Sequence, residues 1–353
     1  MNFRSEARVR SCFLKWKAVY MRIVLCYPVK SHHVVKIQAA WPEAEVVNAG
    51  QERVAKELFD ADIFCGHAKV PVDWDGVMAR GRLQWIQSSA AGMDHCLVPS
   101  VIVSPVTVTS ASGVLADQVA EHTIALLTAW LRRILVFQDE WRAGKFDRLP
   151  TADLTYAKIG IAGFGGVGRR LARILSVFKT TIYATDLYPR DKPDYVEELF
   201  PADGLDTMLG LCDIVVLCLP LNASTRGIFD AARLRRIPHG GLLANMARGA
   251  IVVTEDLIDV LREGHLSGAV MDVTDPEPPP PRHPLWTAPN LLVTPHVGGQ
   301  FRSRIDDMTR IFCENIRRWR AGEPLINRLT DKSLGFPIRG EVPLWTDLCD
   351  IIR

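Results

Sequence analysis

The sequence predicts an α/β protein made of two units, a doubly wound parallel sheet and a smaller α/β domain that precedes it. Short apolar runs alternate with helical patterns from residue 21 to about residue 116, and this alternation resumes at Lys158. A G-x-G-x-x-G motif separates the strand and helix patterns that open the second unit. A last helical pattern, residues 304–320, leads back toward the first unit.

Length and charge restrict the possible partners. The 353-residue chain is 48% hydrophobic and 23% charged, so it can bury more core than one compact domain usually holds. Its net charge is +2 and its basic residues are scattered, which predicts a small-molecule site and neither nucleic acid nor a membrane as partner. No apolar run reaches the roughly eighteen residues of a membrane helix and no secretory leader is visible, so the expected compartment is the cytoplasm.

The eight cysteines are far apart and none forms a C-x-x-C pair. Their spacing predicts reduced, mostly buried thiols and no metal site. They are Cys12, Cys26, Cys65, Cys96, Cys212, Cys218, Cys313 and Cys349.

The first unit begins with a strand-like run at residues 21–27, and further runs at 62–65, 84–86 and 106–109 alternate with helical patterns such as 51–58. Residues 1–20 are basic and predict an N-terminal extension. Residues 117–137 form a helical pattern that is apolar nearly all round, which predicts a helix buried between domains or against a second subunit. A homodimer is therefore expected.

The second unit runs from residue 158 through alternating strand and helix patterns to residue 294. Prolines at 276 and 278–281 lack the N–H that either element needs, so this stretch is predicted to be a loop. The predicted domains are residues 21–116 plus 301–330 and residues 117–300. Residues 331–353 are predicted to be a C-terminal extension, to which the sequence assigns no function.

The glycine motif consists of Gly163, Gly165 and Gly168. The first glycine permits a tight turn, the second lets backbone approach a pyrophosphate, and the third lets helix and strand pack closely. The next predicted strand ends at Asp186, whose carboxylate would accept hydrogen bonds from the adenosine ribose hydroxyls and repel a 2′-phosphate. The motif therefore predicts NAD, with NADP less favoured, although Arg190 lies four residues further on.

Polar groups follow three more predicted strands, in residues 245–249, 271–278 and 294–299. With these segments in this order, residues 21–330 resemble the D-2-hydroxyacid dehydrogenase family, which includes glycerate dehydrogenases and hydroxypyruvate reductases. The resemblance implies a Rossmann-type doubly wound parallel sheet, residues 117–300, that binds NAD. It is inserted in a smaller flavodoxin-like α/β domain that holds the substrate. The implied reaction moves a hydride between NAD(H) and C2 of a small D-2-hydroxy acid or 2-keto acid.

The resemblance also implies a catalytic triad of Arg248, Glu277 and His296. Arginine offers a permanent charge and paired donors for the substrate's carboxylate and carbonyl oxygen. Histidine can exchange a proton near neutral pH with the substrate oxygen. Glu277, bonded to the imidazole, would orient the ring and favour its protonated form.

Further roles follow from the same resemblance. In the loop of residues 87–94, the backbone of Ala91 and Gly92 is expected to hold the substrate carboxylate, and Asp272 is expected on the nicotinamide side of the cofactor. The remaining implied cofactor contacts are Gly166, Val167, Leu219, Pro220, Ala247, Gly298 and Gly299. Four residues depart from the family pattern and bear on substrate choice more than on reaction type: Ala90, Val253, Thr254 and Thr274.

Other interpretations remain open at this stage. Singly, Arg248 could be a surface ion-pair partner, Glu277 a solvated loop acid and His296 a core histidine. His95, beside the carboxylate loop, is the least secure of the histidines interpreted as structural. The alternative function is an NADH-sensing, corepressor-like binding protein, which has no need of all three triad groups. Formate or phosphite oxidation on the same fold is the third reading; formate enzymes lack the triad glutamate, whereas phosphite enzymes keep it.

Overall fold

A computed structural model describes the backbone of residues 21–352 and the side chains of residues 21–348. The predicted basic extension, residues 1–20, lies outside the described residues, as do the side chains of Cys12 and Cys349.

The first sheet has five parallel strands in the order β2-β1-β3-β4-β5, the flavodoxin-like order. Its strands are β1 Arg22–Cys26, β2 Glu45–Asn48, β3 Ile63–Gly66, β4 Trp85–Ser88 and β5 Thr107–Thr109. The helices between them are α1 Ser31–Ala40, α2 Gly50–Glu57, α3 Trp74–Ala79 and α4 Pro99–Val103. Every residue of β3 and β4 is buried, because helices cover both faces of a parallel sheet.

Two helices, not one, connect this sheet to the second: α5 Ala116–Leu131 and α6 Ile134–Arg142. The prediction of one buried helix over residues 117–137 is therefore wrong, because the helix is interrupted after Leu131. Arg133 adopts a left-handed conformation with φ of 54°, which ends α5 and redirects the chain. Helix α5 packs on the second sheet's first helix, whereas α6 has no buried residue in this chain.

The second sheet has seven parallel strands in the order β12-β11-β10-β9-β6-β7-β8, a doubly wound arrangement that confirms the predicted fold class. Its strands are β6 Lys158–Ala162, β7 Thr181–Asp186, β8 Glu198–Pro201, β9 Ile214–Leu217, β10 Leu242–Asn245, β11 Gly268–Met271 and β12 Leu291–Val293. Its helices are α7 Gly166–Leu175, α8 Leu205–Leu209, α9 Ala231–Leu234 and α10 Thr254–Arg262. The order reverses between β6 and β9, and ligands of such sheets bind outside that point.

The chain then returns to the first sheet. Helix α11, Arg304–Ala321, packs against α1, as the pattern of residues 304–320 predicts. The last helix is α12, Trp345–Ile352, and Trp345 is 2% exposed within the core of the first sheet. Within residues 21–352 no helix is both long and apolar enough to cross a membrane.

Candidate active site

The glycine motif forms the turn between β6 and α7. Gly163 has a φ of +97°, and a Cβ there would lie 2.7 Å from the carbonyl oxygen of Cys218. A Cβ at Gly168 would lie 2.2 Å from the carbonyl oxygen of Gly163, so strand and helix meet too closely for a side chain. Gly165 faces open space at the start of α7, where the helix N-terminus can receive an anion.

Asp186 lies at the end of β7, beside this turn. Its two carboxylate oxygens accept hydrogen bonds from the backbone N–H of Phe164 (3.0 Å) and Tyr188 (2.9 Å). Burial raises the pKa of Asp186 above its usual value, and the charges of Arg169 and Arg339 partly offset that rise. The carboxylate is thus fixed at the position where an adenosine ribose would lie over the sheet.

A cavity of about 480 Å³ runs along the glycine turn and the ends of β7, β9 and β10. Among its lining residues are many of the predicted ones: Ala91, Gly92, Gly163, Gly165, Gly166, Val167, Asp186, Leu219, Pro220, Ala247 and Arg248. The close glycine turn, the open helix N-terminus and the fixed carboxylate fit a dinucleotide. The cavity is therefore the candidate cofactor site.

Arg248 follows β10 and reaches the loop of the first domain. Its Nε lies 3.2 Å from Oδ1 of Asp94, and its Nη1 donates to the carbonyl oxygen of Ala247 at 2.8 Å. A Cβ at Gly92 would lie 1.8 Å from Nη2 of Arg248, so the guanidinium rests directly on the glycine. Burial works against ionisation of Asp94, yet the Arg248 charge and hydrogen bonds keep the pKa of Asp94 below its usual value.

Two histidines stack beside this ion pair. The rings of His67 and His95 have centroids 3.9 Å apart and an interplanar angle of 21°. Burial lowers the pKa of His95 to about 3, and burial also lowers the pKa of His67. Both imidazoles are therefore neutral at physiological pH.

His296 and Glu277 are brought together from two different loops. Nδ1 of His296 lies 2.7 Å from Oε1 of Glu277, and the two side chains are 44% and 42% exposed. His296 has a φ of 54°, a conformation uncommon for residues other than glycine, and its N–H donates to the carbonyl oxygen of Asp272 at 2.8 Å. The pair forms a charge-assisted hydrogen bond when the imidazole is protonated.

Asp272 lies under the loop that carries His296. Its Oδ1 accepts hydrogen bonds from Thr294 Oγ1 (2.6 Å) and from the Val297 N–H (2.9 Å), and its Oδ2 accepts from the Gly298 N–H (2.8 Å). Nε2 of His122, from α5, lies 2.9 Å from Thr294 Oγ1. These bonds hold the loop in place and leave Oδ2 able to accept a further hydrogen bond.

The predicted residues thus fall into two groups. The first group consists of the predicted residues that line the cavity, named above, together with Gly168 in the glycine turn. The second group, which does not line the cavity, comprises Asp272, Glu277, His296, Gly298 and Gly299. Among the side chains of residues 21–348, no hydrogen bond or ion pair joins Arg248 to His296.

Several residues at the site were not predicted. Asp94 and His67 come from the first domain, and His122 from a helix interpreted only as packing. Residues beyond 331, to which the sequence assigned no function, also line the cavity: Gly335, Phe336, Pro337, Arg339, Leu344 and Thr346. The signal that could have found the last group is the set of large apolar residues, including Trp345, in an otherwise polar tail.

Comparison with known proteins agrees with this geometry. The model of the D-isomer specific 2-hydroxyacid dehydrogenase NAD-binding domain matches residues 124–298. A glyoxylate reductase of Thermofilum pendens is 31% identical over 289 residues, which are 80% of this chain and 84% of the relative.

Two solved structures share the fold. A D-isomer specific 2-hydroxyacid dehydrogenase from Xanthobacter autotrophicus Py2, in complex with NADPH and MES, is 28% identical with a TM-score of 0.75. An NADPH-dependent glyoxylate/hydroxypyruvate reductase from Sinorhizobium meliloti is 25% identical with a TM-score of 0.75. Each comparison covers 89% of this chain and 99% of the other. The chain belongs to the D-isomer specific 2-hydroxyacid dehydrogenase family.

Proposed function

We propose that the protein transfers a hydride between a nicotinamide cofactor and C2 of a small D-2-hydroxy acid or 2-keto acid of the glyoxylate or hydroxypyruvate kind. The observation that carries this proposal is the 2.7 Å contact between His296 Nδ1 and Glu277 Oε1. A positioned imidazole with an orienting carboxylate is what acid/base chemistry at a substrate oxygen requires. The relative from Thermofilum pendens and the structure from Sinorhizobium meliloti bear names of this activity.

His296 acts as the acid/base in this proposal. Because Nδ1 is engaged by Glu277, Nε2 is the nitrogen left to give a proton to the substrate oxygen in reduction and to take it back in oxidation. The carboxylate of Glu277 orients the ring and stabilises its charged form. When bound, the nicotinamide supplies or accepts the hydride.

Arg248 and the loop at Ala91 and Gly92 bind the substrate carboxylate. The guanidinium offers paired donors and already contacts Gly92, so the charge and the backbone N–H groups of the loop lie on one side of the cleft. Asp272 can accept a hydrogen bond from the nicotinamide side through its Oδ2 while it holds the His296 loop. The domains we assign are residues 21–116 plus 301–330 for substrate and residues 117–300 for cofactor.

For the cofactor we propose NAD(H) as the first choice. The glycine turn, Gly166 and Val167 are suited to bind the pyrophosphate at the start of α7, and Asp186 to bind the ribose hydroxyls. Leu219, Pro220 and Ala247, which line the cavity, are assigned to its walls, and Gly298 and Gly299, which do not line it, are assigned to further cofactor contacts beside Asp272.

A substrate panel tests the proposal. Purified protein with NADH and glyoxylate, hydroxypyruvate, pyruvate or phenylpyruvate is expected to lose absorbance at the reduced nicotinamide band, whereas NAD with formate is expected to give no signal. His296→Asn is expected to abolish turnover and spare NADH binding. The matched control is His239→Asn, a surface histidine in contact with His265. Turnover that survives in His296→Asn contradicts the assigned role, and tight NADH binding without turnover on any acid supports a sensor instead.

We also propose a homodimer that buries the apolar face of α6 and the loop after it. Ile134 and Leu135 are 52% exposed, Trp141 is 65% exposed and Phe146 is 81% exposed. Large apolar side chains clustered in this way mark an interaction surface, and a second copy is the partner expected from the sequence. Sedimentation is expected to give twice the monomer mass, and Leu135→Glu is expected to give a monomer. A wild-type monomer contradicts the proposal.

The cytoplasm is the proposed compartment. Six cysteines are described, and all six are unpaired in the structure, as in a reducing environment: Cys26, Cys65, Cys96, Cys212, Cys218 and Cys313. Cell fractionation with an antibody to the protein tests this assignment, and recovery in a secreted or membrane fraction contradicts it.

A further inference from the structure

The segment of residues 333–347, called here the C-terminal segment, is anchored to the first domain at both ends. Just before it, Lys332 Nζ donates to the carbonyl oxygens of Val101 (2.7 Å) and Ser104 (2.5 Å). Near its other end, Trp345 is buried in the core of the first sheet, and its N–H donates to Oδ1 of the buried Asn327 at 3.0 Å. The segment is therefore held in place along its length.

Between these anchors the C-terminal segment contacts the second domain. Asn222 Nδ2, after β9, donates to the carbonyl oxygen of Leu334 at 3.0 Å, and Arg190 Nη1, after β7, donates to the carbonyl oxygen of Arg339 at 3.0 Å. These contacts lie on the two sides of the point where the sheet order reverses. The C-terminal segment thus crosses the mouth of the cofactor cavity and lines it.

Two guanidinium groups, those of Arg169 and Arg339, lie at the Asp186 end of the cavity, and Arg190 is a neighbour of both. Arg169 is committed to backbone: it donates to the carbonyl oxygens of Phe164, Arg190 and Asp191. Its pKa is lowered by burial and then by the charge of Arg339, so these two cations lie within electrostatic range of each other.

Of the other two cations, Arg339 lines the cavity and Arg190 lies next to it. Arg339 lies 2.9 Å from Oδ1 of Asp347, a contact within its own segment, and its side chain is 26% exposed. Arg190 has no carboxylate partner within the described side chains and rests on the Arg339 carbonyl oxygen. A Cβ at Gly340 would lie 2.9 Å from Arg190 Nη1, so the glycine leaves room for this arrangement.

We propose that the C-terminal segment is a wall of the cofactor site and that Arg339, together with Arg190, forms an anion subsite for the 2′-phosphate of NADP(H). This inference rests on the proposed function only in placing the adenosine end of a dinucleotide over Asp186. Asp186 favours free ribose hydroxyls and repels a 2′-phosphate, whereas the two guanidinium groups attract one. The protein therefore accepts NADP(H) as well as NAD(H), and Arg339 is a specificity-determining residue supplied from outside the nucleotide domain.

The test compares two fragments that differ only in the 2′-phosphate, 5′-AMP and 2′,5′-ADP, by calorimetric titration of the full chain. The readout is the ratio of their dissociation constants, which needs neither nicotinamide nor an acid substrate. Arg339→Gln is expected to weaken 2′,5′-ADP about tenfold relative to 5′-AMP, a typical loss for one charge-assisted hydrogen bond. Arg339→Lys is expected to keep most of the preference.

A second variant distinguishes the loss of the anion subsite from a folding defect. Asp347→Asn removes the carboxylate that neutralises Arg339, so the ratio is expected to change in favour of 2′,5′-ADP, opposite to Arg339→Gln. An unchanged ratio in Arg339→Gln, or an equal loss of both fragments because the segment detaches, overturns the proposal. Failure of the acid substrate panel leaves this ratio untouched, so the two proposals fail separately.

Discussion

Replacement of Gly92 by alanine tests the proposed substrate site at the point of closest packing. The new Cβ would lie 1.8 Å from Nη2 and 2.6 Å from Cζ of Arg248. Real Cβ atoms are essentially never found closer than 3.0 Å to a neighbour, so the guanidinium must retreat by at least about 1.2 Å. Gly92 does not have a positive φ, so the backbone itself accepts alanine.

The size of the effect follows from which atom has to move. The displaced atom is the flexible end of Arg248, so we expect the thermal midpoint of unfolding to change little. In the proposed function, that same end carries the donors for the substrate carboxylate. A displacement of about 1 Å at a positioning group lowers rates by about 10²-fold, so kcat/KM for the preferred 2-keto acid is expected to fall by about that factor, about 2.7 kcal/mol.

Steady-state kinetics and thermal melts of the wild-type protein and four variants measure this effect. The matched control is Gly210→Ala, where the nearest atom to a new Cβ is 3.7 Å away and φ is −68°. Adding Gly92→Ala to Arg248→Met is expected to cause no further loss of kcat/KM. Gly92→Ala acts by displacing the guanidinium of Arg248, which the double variant no longer has. A Gly92→Ala enzyme within threefold of wild-type kcat/KM, or additive losses in the double variant, refutes the reasoning.

Of three other changes, two probe the His296 side of the site and one probes the histidines beside the Arg248–Asp94 ion pair. Glu277→Gln keeps the hydrogen bond to His296 but removes the charge, so the rate of reduction is expected to fall about tenfold, and an unaltered kcat contradicts this. His95→Asn is expected to leave the shape of the pH profile of kcat/KM unchanged between about pH 5 and 9, because a group with a pKa of about 3 stays neutral throughout that range. A variant whose pH profile lacks one of the wild-type limbs contradicts this expectation. Thr294→Val removes a donor to the buried Asp272, so urea titration is expected to show about 1–3 kcal/mol less stability, and an equal midpoint is evidence against it.

The fold follows largely from local sequence. A strand buried on both faces, such as β9, is a continuous apolar run, and β10 is apolar up to its last residue, Asn245. The glycine turn identifies the first strand of the nucleotide-binding sheet, and right-handed crossovers restrict the face of the sheet that each connecting helix can cover. The break between α5 and α6 was not predicted, because the apolar pattern continues past Arg133. This residue has no turn preference and yet adopts the left-handed conformation.

Less of the candidate site than of the fold could be predicted from the sequence. Arg248, Glu277 and His296 were assigned by resemblance, since nothing local indicates that Glu277 and His296 from separate loops meet. The contact of Asp94 with Arg248 depends on how a loop of one domain faces the other, and the stacking of His67 on His95 depends on how two loops of the first domain meet. Neither arrangement has a periodic signal in the sequence. The C-terminal segment was missed for a similar reason, because its role comes from Lys332 and Trp345 fixing it across a cleft.

The Arg248–Asp94 ion pair bears on which substrates the proposed reaction can use. Asp94 Oδ1 lies 3.2 Å from Nε of Arg248, so in the proposed site a substrate carboxylate that takes this donor displaces the Asp94 carboxylate. Asp94 is 43% exposed and can be hydrated when released, whereas a half-buried guanidinium left without an anion is costly. Only an anionic substrate restores that pairing; a neutral ketone of the same size leaves Asp94 in place and gains nothing from Arg248. Acids are therefore favoured over neutral ketones, but competition with Asp94 for one guanidinium makes this discrimination weaker than the substrate's own contacts alone would provide.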